Sequence, residues 1–463
     1  MFLKAFLKEF SYEPTSCQEH FFEKVDRFLS SDEGDILVVN GYAGTGKTSA
    51  VSAVINALVK LRFKCVLLAP TGRAAKVLSQ FAGRTACTVH KGIYRQKSIG
   101  DNGWGQFTLA PNKSKHTLFV VDEASLIGVD SSSLANFGSG DLLGDLVQYV
   151  RNGEDCRLLL IGDNAQLPPV GMDESPALDN SFMSNFGGVS FCTLSTVVRQ
   201  GESSGILRNA TLLRSDLDLG KLSLDLSGIS DIKRISGSEL IDSLTSAYDK
   251  YGDDQTVVIC RSNKKAIRYN MGIRSMVEFK EEKLIRGDKL LVVKNCYQFL
   301  EPDSPMGYIA NGDVAILKKI SGFEQRYGLH FADAVLSFPD YDDQTISAKI
   351  ILDTLESESA SLSPEQQKAL FEGVSSDYSD IKSKVKRYKQ VREDPYYNAI
   401  QLKYAKALTC HKAQGGQWDC VFIDCPFWED EMTRDDLKWM YTALTRAVKQ
   451  VYLVNFNDKY FKV

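Results

Sequence analysis

Short unbroken apolar runs recur through the first third of the chain, at residues 36–39, 65–68, 118–121 and 158–161. Continuous apolarity over four residues predicts strands covered on both faces, the pattern of a parallel sheet. Between the first two runs, Val51, Val54, Ile55, Leu58 and Leu61 fall on one face of a helix over 49–61. Strand alternating with helix predicts a doubly wound α/β domain. A second domain of this kind is read from about residue 190, with strands at 257–260, 421–425 and 451–454.

Each domain is interrupted. Residues 94–117 hold two extended runs around Asn102-Gly103, a hairpin signal. Runs of β character at 289–293, 313–319, 333–338 and 345–352, spaced by turns, predict a small all-β module. Two helices follow. One has Ser363 as N-cap and Pro364 at the first helical position. The other starts near Ser376, with Tyr378, Ile381, Val385, Tyr388 and Val391 as its stripe.

Composition narrows the class. The chain has 463 residues, 43% apolar and 25% charged, as ordinary soluble domains do. No run approaches the ~18 apolar residues of a membrane span, and Lys4 and Lys8 break the N-terminal apolar stretch, so no signal peptide is read there. Ten scattered cysteines without a C-x-x-C pair argue against a disulfide framework or zinc site and for a reducing compartment. The net charge of -4 speaks against a nucleic-acid binder. Its distribution speaks the other way. Residues 36–100 contain ten Lys or Arg and no acid, and residues 395–418 are also acid-free. Residues 382–392 hold six bases, whereas 340–380 carry ten acids and two bases. Local basic surfaces of this kind can hold a polyanion on an acidic protein, although solvated helix faces produce the same runs.

The chemistry enters with Gly41-Tyr-Ala-Gly44-Thr45-Gly46-Lys47-Thr48, which fits G-x-x-x-x-G-K-[ST] after a strand and before a helix. Backbone N–H groups of such a loop wrap phosphate oxygens, and the helix start adds partial positive charge. Lys47 is placed to reach the β- and γ-phosphates of ATP and Thr48 to ligate Mg²⁺. Asp122 and Glu123 end the 118–121 strand. There the first carboxylate holds Mg²⁺ and the second serves as base toward the attacking water.

Several further strings resemble those of superfamily 1 helicases, and more closely the 1B branch, the RecD/Dda-like group. Gln18 resembles that family's adenine-recognising glutamine. Residues 69–75 (Ala-Pro-Thr-Gly-Arg-Ala-Ala) resemble its motif Ia, and 88–91 (Thr-Val-His-Lys) its motif Ib. Residues 162–169 (Gly-Asp-Asn-Ala-Gln-Leu-Pro-Pro) resemble motif III, with Gln166 as γ-phosphate sensor. Arg199-Gln200 resembles motif IV, residues 404–415 motif V, and residues 441–447 motif VI with Arg446. The pair after motif V is Gly416-Gln417, where the family often has Glu at the second position, so the ribose contact rests on Gln417.

The resemblance implies two RecA-like P-loop domains with parallel sheets: the first over 1–93 and 118–187, the second over 188–287 and 401–463. A β-hairpin is inserted at 94–117, and an SH3-like β module with a helical extension at 288–400. It implies an ATP-dependent DNA helicase moving 5′ to 3′ on single strands, a cytoplasmic monomer of bacterial or viral origin that uses Mg²⁺ and acts on forked or tailed duplex. Arg199 and Arg446 would be arginine fingers. Thr71, Thr88, His90, Thr409, His411 and Lys412 would hold the strand, and Trp104 or Phe107 would part the duplex. Two rival readings are an RNA helicase or ribonucleoprotein remodeller of the same superfamily, and a nucleotide-dependent binding module with little turnover. Glu123, Gln166 and the two arginines speak against the second.

Overall fold

Strands form where the apolar runs predict them. In the computed structural model, which describes residues 2–31, 34–99, 105–129, 138–198, 204–217, 219–296, 309–429 and 431–462, the chain divides into two units. Unit 1 comprises Met1–Arg95, Phe107–Ile235 and Ala413–Val463; unit 2 comprises Gln96–Gln106 and Ser236–Lys412.

Unit 1 opens with helices α1 (Leu3–Glu9) and α2 (Ser16–Ser30), then strand β1 (Ile36–Gly41), helix α3 (Lys47–Lys60), β2 (Lys64–Ala69), α4 (Gly72–Ala82), β3 (Cys87–Thr88) and α5 (Val89–Ile93). The hairpin strands β4 (Tyr94–Ile99) and β5 (Gly105–Leu109), which carry the Gln96–Gln106 segment assigned to unit 2, follow in the chain and make a two-stranded sheet. Next come β6 (Thr117–Val121), α6 (Leu142–Arg151), β7 (Arg157–Gly162), α7 (Asn180–Ser184), β8 (Val189–Leu194), α8 (Gly205–Ser215) and β9 (Ile232–Ile235). The main sheet has the order β3-β2-β6-β7-β1-β8, and every neighbouring pair in it is parallel. Its two faces bury separate cores. Phe6, Phe21, Phe22, Val54 and Leu58 cover one side. Val89, Ile93, Leu143, Leu146 and Val150 cover the other. Coverage on both sides is why β1, β6 and β7 are apolar at nearly every position.

Unit 2 runs through α9 (Leu240–Tyr251), β10 (Thr256–Cys260), α10 (Asn263–Gly272) and strands β11 (Lys289–Val292), β12 (Val314–Arg326), β13 (Leu329–Phe338) and β14 (Gln344–Ile351). Helices α11 (Pro364–Asp377) and α12 (Lys384–Glu393) lead into β15 (Ile400–Tyr404) and β16 (Ala407–Thr409). Strands β11 to β15 close a barrel, filled by Leu290, Leu317, Leu336, Phe338, Ile350 and Leu402. In the same unit β10 and β16 pair in parallel. The chain returns to unit 1 after α13 (Cys410–Ala413), with β17 (Trp418–Asp424), α14 (Arg434–Leu444) and β18 (Ala447–Val454). Strand β18 pairs in parallel with both β17 and β9.

Three boundaries differ from expectation. Strand β8, assigned by sequence to the second α/β domain from 188 onward, extends the first sheet beside β1, from Ile36 opposite Val189 to Gly41 opposite Leu194. Its apolar residues Cys192 and Leu194 complete the core under α2. Strand β15, placed beyond the 288–400 insert, is a barrel stave paired with β11 and β14. The second extension helix begins at Lys384, with the Ser383 hydroxyl accepting from the Lys386 N–H, and not near Ser376. Residues 378–381 form turns instead, and Tyr378 Oη is held by the Asp394 carboxylate at 3.0 Å. Ser363 and Pro364 cap α11 as expected.

Candidate nucleotide and nucleic-acid sites

The loop between β1 and α3 turns on Gly44 and Gly46, at φ of 75° and 69°, and Gly46 is the residue before α3 begins. A Cβ on Gly46 would lie 2.6 Å from Gln18 Nε2, so both its conformation and its surroundings demand glycine. Gln18 is 1% exposed. Its amide nitrogen donates to the Thr45 carbonyl at 2.9 Å, and its oxygen accepts from the Thr15 N–H at 2.9 Å. Gln18 therefore ties the start of α2 to the back of the phosphate loop. The stem of Lys47 folds over Gly41, whose Cβ would meet Lys47 Cδ at 2.8 Å. Thr48 is half-buried at the helix start.

The acids converge on this loop from neighbouring strands. Asp122 and Glu123 leave β6, and Asp163 leaves β7. Glu123 sits at φ 53°, a left-handed conformation that costs a non-glycine residue energy and recurs at functional sites. Its N–H donates to Asp122 Oδ1 at 2.9 Å. Burial pushes the Asp122 and Asp163 carboxyls above their ordinary range, with Lys47 opposing and Glu123 adding to the rise. Lys47 thus faces Asp122 and Asp163 while Arg446 stands 4.0 Å from Glu123, two cations against three carboxylates.

Groups from the C-terminal motifs close the ring. Tyr441 donates its hydroxyl to Asp163 Oδ2 at 2.6 Å and accepts from the Ala43 N–H of the phosphate loop at 2.9 Å. Thr442 Oγ1 accepts from the Leu167 N–H at 2.8 Å, and Gln414 Nε2 donates to the Leu167 carbonyl at 2.8 Å. Arg446 is 4% exposed, with Nη1 4.0 Å from Glu123 Oε1, and it donates from Nε to the Thr442 carbonyl at 3.1 Å. Glu123 Oε2, Gln166 Oε1 and Gln414 Oε1 are buried without a hydrogen-bond partner among the described residues. Unmade hydrogen bonds in so polar a pocket mark where a ligand's phosphates, water or cation would sit. Sequence motifs pointed to Gln166, Glu123 and Arg446. They did not single out Asp163, Gln414, Tyr441 or Thr442, although all four stand inside the quoted strings. Arg199 and Gln200 lie outside the described residues. Gln417 is exposed, and no hydrogen bond ties its side chain among the described residues.

The strand-binding candidates divide between the units. In unit 1, Thr71 and Thr88 cap α4 and α5, each hydroxyl accepting a backbone N–H at 3.2 Å. Burial pushes His90 down to about 4, so at neutral pH its ring is uncharged and would meet a strand as a neutral hydrogen-bonding group. Gly416 packs against Arg73 and Trp418, whose ring the Arg73 guanidinium covers at 4.3 Å. In unit 2, Thr409 is half-buried, His411 is exposed, and Lys412 is a half-buried ammonium lowered by desolvation. Beside it Lys403, unnoticed in the sequence, is pushed down to about 8 by burial and by Lys412. Its Nζ donates to the Thr354 carbonyl at 3.2 Å. Trp104 lies outside the described residues. Phe107 is half-buried against the core beneath the sheet, a packing position that gives no support to a wedge.

Two family profiles match the chain: an AAA domain over residues 22–224 and a UvrD-like helicase C-terminal domain over 404–454. The ATP-dependent RecD2 DNA helicase of Deinococcus radiodurans is 36% identical over 157 residues, covering 32% of this chain and 19% of the relative. The ATP-dependent DNA helicase Dda of Enterobacteria phage T4 is 24% identical over 468 residues, covering 95% and 99%. The chain thus spans about a fifth of the first relative's length and nearly all of the second's. A solved structure of Bacteroides Pif1 helicase with ADP-AlF3 and ssDNA aligns over 97% of this chain and 94% of that one, at 17% identity and a TM-score of 0.48. With the motif series arranged around one phosphate loop, the chain resembles along its length the superfamily 1B helicases of the RecD/Dda-like group.

Proposed function

We propose that the chain is an ATP-dependent DNA helicase that moves 5′ to 3′ along a single strand and parts duplex at a fork or tail. The observation that carries the reading is the set of buried oxygens on Glu123, Gln166 and Gln414 without a hydrogen-bond partner among the described residues, with Arg446 4.0 Å from Glu123. A site that only bound nucleotide would need the loop. It would not need a buried base, a polar sensor and a guanidinium together.

In this reading the loop N–H groups and Lys47 hold the β- and γ-phosphates. Thr48 and Asp122 would hold Mg²⁺, which neutralises phosphate charge when bound. The excess of carboxylate over cation at Asp122, Glu123 and Asp163 fits such an ion. Glu123 takes a proton from the attacking water, Gln166 orients that water or the γ-phosphate, and Arg446 stabilises the charge of the transition state. Gln414 and Thr442 both bond Leu167 of the motif III loop, so a change at the γ-phosphate sensor reaches the motif V and VI segments through two hydrogen bonds. Lys412 offers the strand a half-buried ammonium, a contact that reads backbone rather than base.

Steady-state ATP hydrolysis with no nucleic acid, with single-stranded DNA and with RNA tests the proposal. Strong stimulation by DNA is expected. Stimulation by RNA alone would give the superfamily's RNA branch, and negligible turnover under all three conditions would leave a binding module.

A further inference from the structure

Two ammonium groups are buried beside each other in unit 2. Lys403 lies on the last barrel stave, β15, and Lys412 on α13. Lys403 is 7% exposed and Lys412 is half-buried. They are near enough for Lys412 to add to the depression of Lys403. Both line one small cavity together with Asn263 and Thr409. Among the described residues neither lysine makes an ion pair. The acids of the adjoining segment 353–358 are engaged elsewhere: Asp353 with His330, Glu356 with Lys283 and Glu358 with Lys264. Helix α10, which supplies Asn263, contains Lys264, Lys265 and Arg268 and no acid. Strand β11, which lines the cavity through Leu291, carries only Lys289, paired with Asp254. Burying two like charges together without a counter-ion is costly, so the pair marks a place where an anion completes the balance.

The room and the donors say which anion. The cavity holds about 20 Å³, enough for one water-sized atom and for no ring or side chain. A phosphodiester needs no more, because it offers single non-bridging oxygens and keeps its base outside. An acidic peptide would find no room for an anchoring side chain. Lys403 spends two of its three N–H donors on the Thr354 and Ser357 carbonyls, which hold the ammonium in place and leave one donor over. The Thr409 hydroxyl and the Asn263 amide add neutral donors of the kind that hold phosphate without reading bases. We infer that Lys403 is a second strand ligand, which together with Lys412 holds one backbone phosphate of the single strand. The inference rests on the reading that Lys412 meets the strand. It carries a proton with it. The strand-free Lys403 ammonium titrates near 8, and an adjacent phosphate raises it, so binding takes up a proton and weakens as pH rises through 8.

The test is fluorescence anisotropy on the full chain at constant salt, with a labelled oligodeoxyadenylate whose bases do not titrate between pH 7 and pH 9. Wild-type affinity should fall about tenfold from pH 7 to pH 9, as one group of this pKa requires. Lys403→Arg, which is always charged, should hold its affinity across that range. Lys403→Met should bind more weakly at pH 7 and show no such decline. Calorimetry of the wild type at pH 8, in two buffers of different ionisation enthalpy, should show proton uptake on binding, and Lys403→Arg should lose it. A flat wild-type profile, or an equal decline in Lys403→Arg, would overturn the inference. Lys412→Ala separates it from the reading beneath it. Unchanged affinity in Lys412→Ala would remove the strand from this segment altogether, whereas a loss there beside wild-type affinity in Lys403→Met would overturn the role of Lys403 alone. An oligoaspartate that binds the strand-free chain and loses as much affinity in Lys403→Met would also overturn it, and would assign the pair to an acidic peptide.

Discussion

Glu123 and Lys47 divide the work of the phosphate loop, and single substitutions separate their roles. Lys47→Ala removes the ammonium that the phosphates and the buried carboxylates share, so nucleotide binding and turnover should both be lost. Glu123→Gln removes only the base, and should keep nucleotide affinity while lowering turnover by about 10²–10⁴-fold. Fluorescent-nucleotide binding beside a phosphate-release assay reads both quantities, and near wild-type turnover in Glu123→Gln would remove the base from this residue. Tyr441 gives a second prediction. Its hydroxyl serves Asp163 and the Ala43 N–H at once. Tyr441→Phe leaves both without that partner, at a cost of about 1–3 kcal/mol. Urea unfolding of the nucleotide-free protein should show it, and an unchanged midpoint would mean that water replaces the hydroxyl. His90 gives a third. Burial lowers its pKa in the folded state to about 4, below its ordinary value of 6.5. The unfolded chain therefore takes up a proton that the folded chain refuses. The stability this residue contributes is complete above pH 6.5 and is lost as pH falls toward 4. His90→Gln should flatten the decline of melting temperature over that window, and parallel wild-type and variant curves would place the titrating group elsewhere.

Among elements, α12 shows how a charge run divides once it is folded. Lys382, just before the helix, and Lys384, Lys386 and Lys389 within it are exposed, but Arg387 is half-buried and Arg392 is buried. Arg387 donates from Nη2 to the Ile381 carbonyl at 2.9 Å and from Nε at 3.1 Å. It holds the turn ahead of the helix and is not free for a ligand. If the helix contacts duplex, Lys384→Glu with Lys386→Glu should weaken forked-substrate binding several-fold without changing the melting temperature. Unchanged affinity in a gel-shift titration would make the run a solvated face. Reversing Arg387 instead would confuse the two readings, because it breaks a local cap. The same distinction explains the misplaced start of α12. The apolar spacing through Tyr378 and Ile381 suits a helix, but Ser383 accepts the Lys386 N–H and starts the helix there.

For the whole molecule, strand binding should be electrostatic and indifferent to sequence. Affinity for single-stranded DNA should fall linearly on a log–log plot against salt, by roughly 0.7 per phosphate contact. Lys412→Ala should lower that slope by about one contact's worth for every sequence tried, whereas His90→Gln should leave it unchanged because the imidazole is neutral at pH 7. A sequence-dependent loss on Lys412→Ala would contradict a backbone role.

Much of this organisation was legible in the chain. The phosphate loop and the carboxylates ending β6 were readable because local chemistry confines them, whereas the Gln of motif III and the Arg of motif VI were reached only through the family resemblance. Only glycine tolerates the left-handed turns at Gly44 and Gly46, and only an unbroken apolar run survives burial on both faces of a parallel sheet. The five-stave barrel was legible as alternation between turns, short of its last strand. What tertiary structure alone decided is pairing at a distance. Strand β8 joins the first sheet because β1 has an open edge there and α2 needs Cys192 and Leu194 beneath it. Tyr441 meets Asp163 and Ala43 across 278 and 398 residues of chain, and no period or motif spacing records such a contact. Likewise a histidine's spelling does not carry its charge. His90 is neutral because of what surrounds it, and the Lys412 ammonium is lowered because the fold desolvates it, since desolvation is a property of the folded environment rather than of the residue.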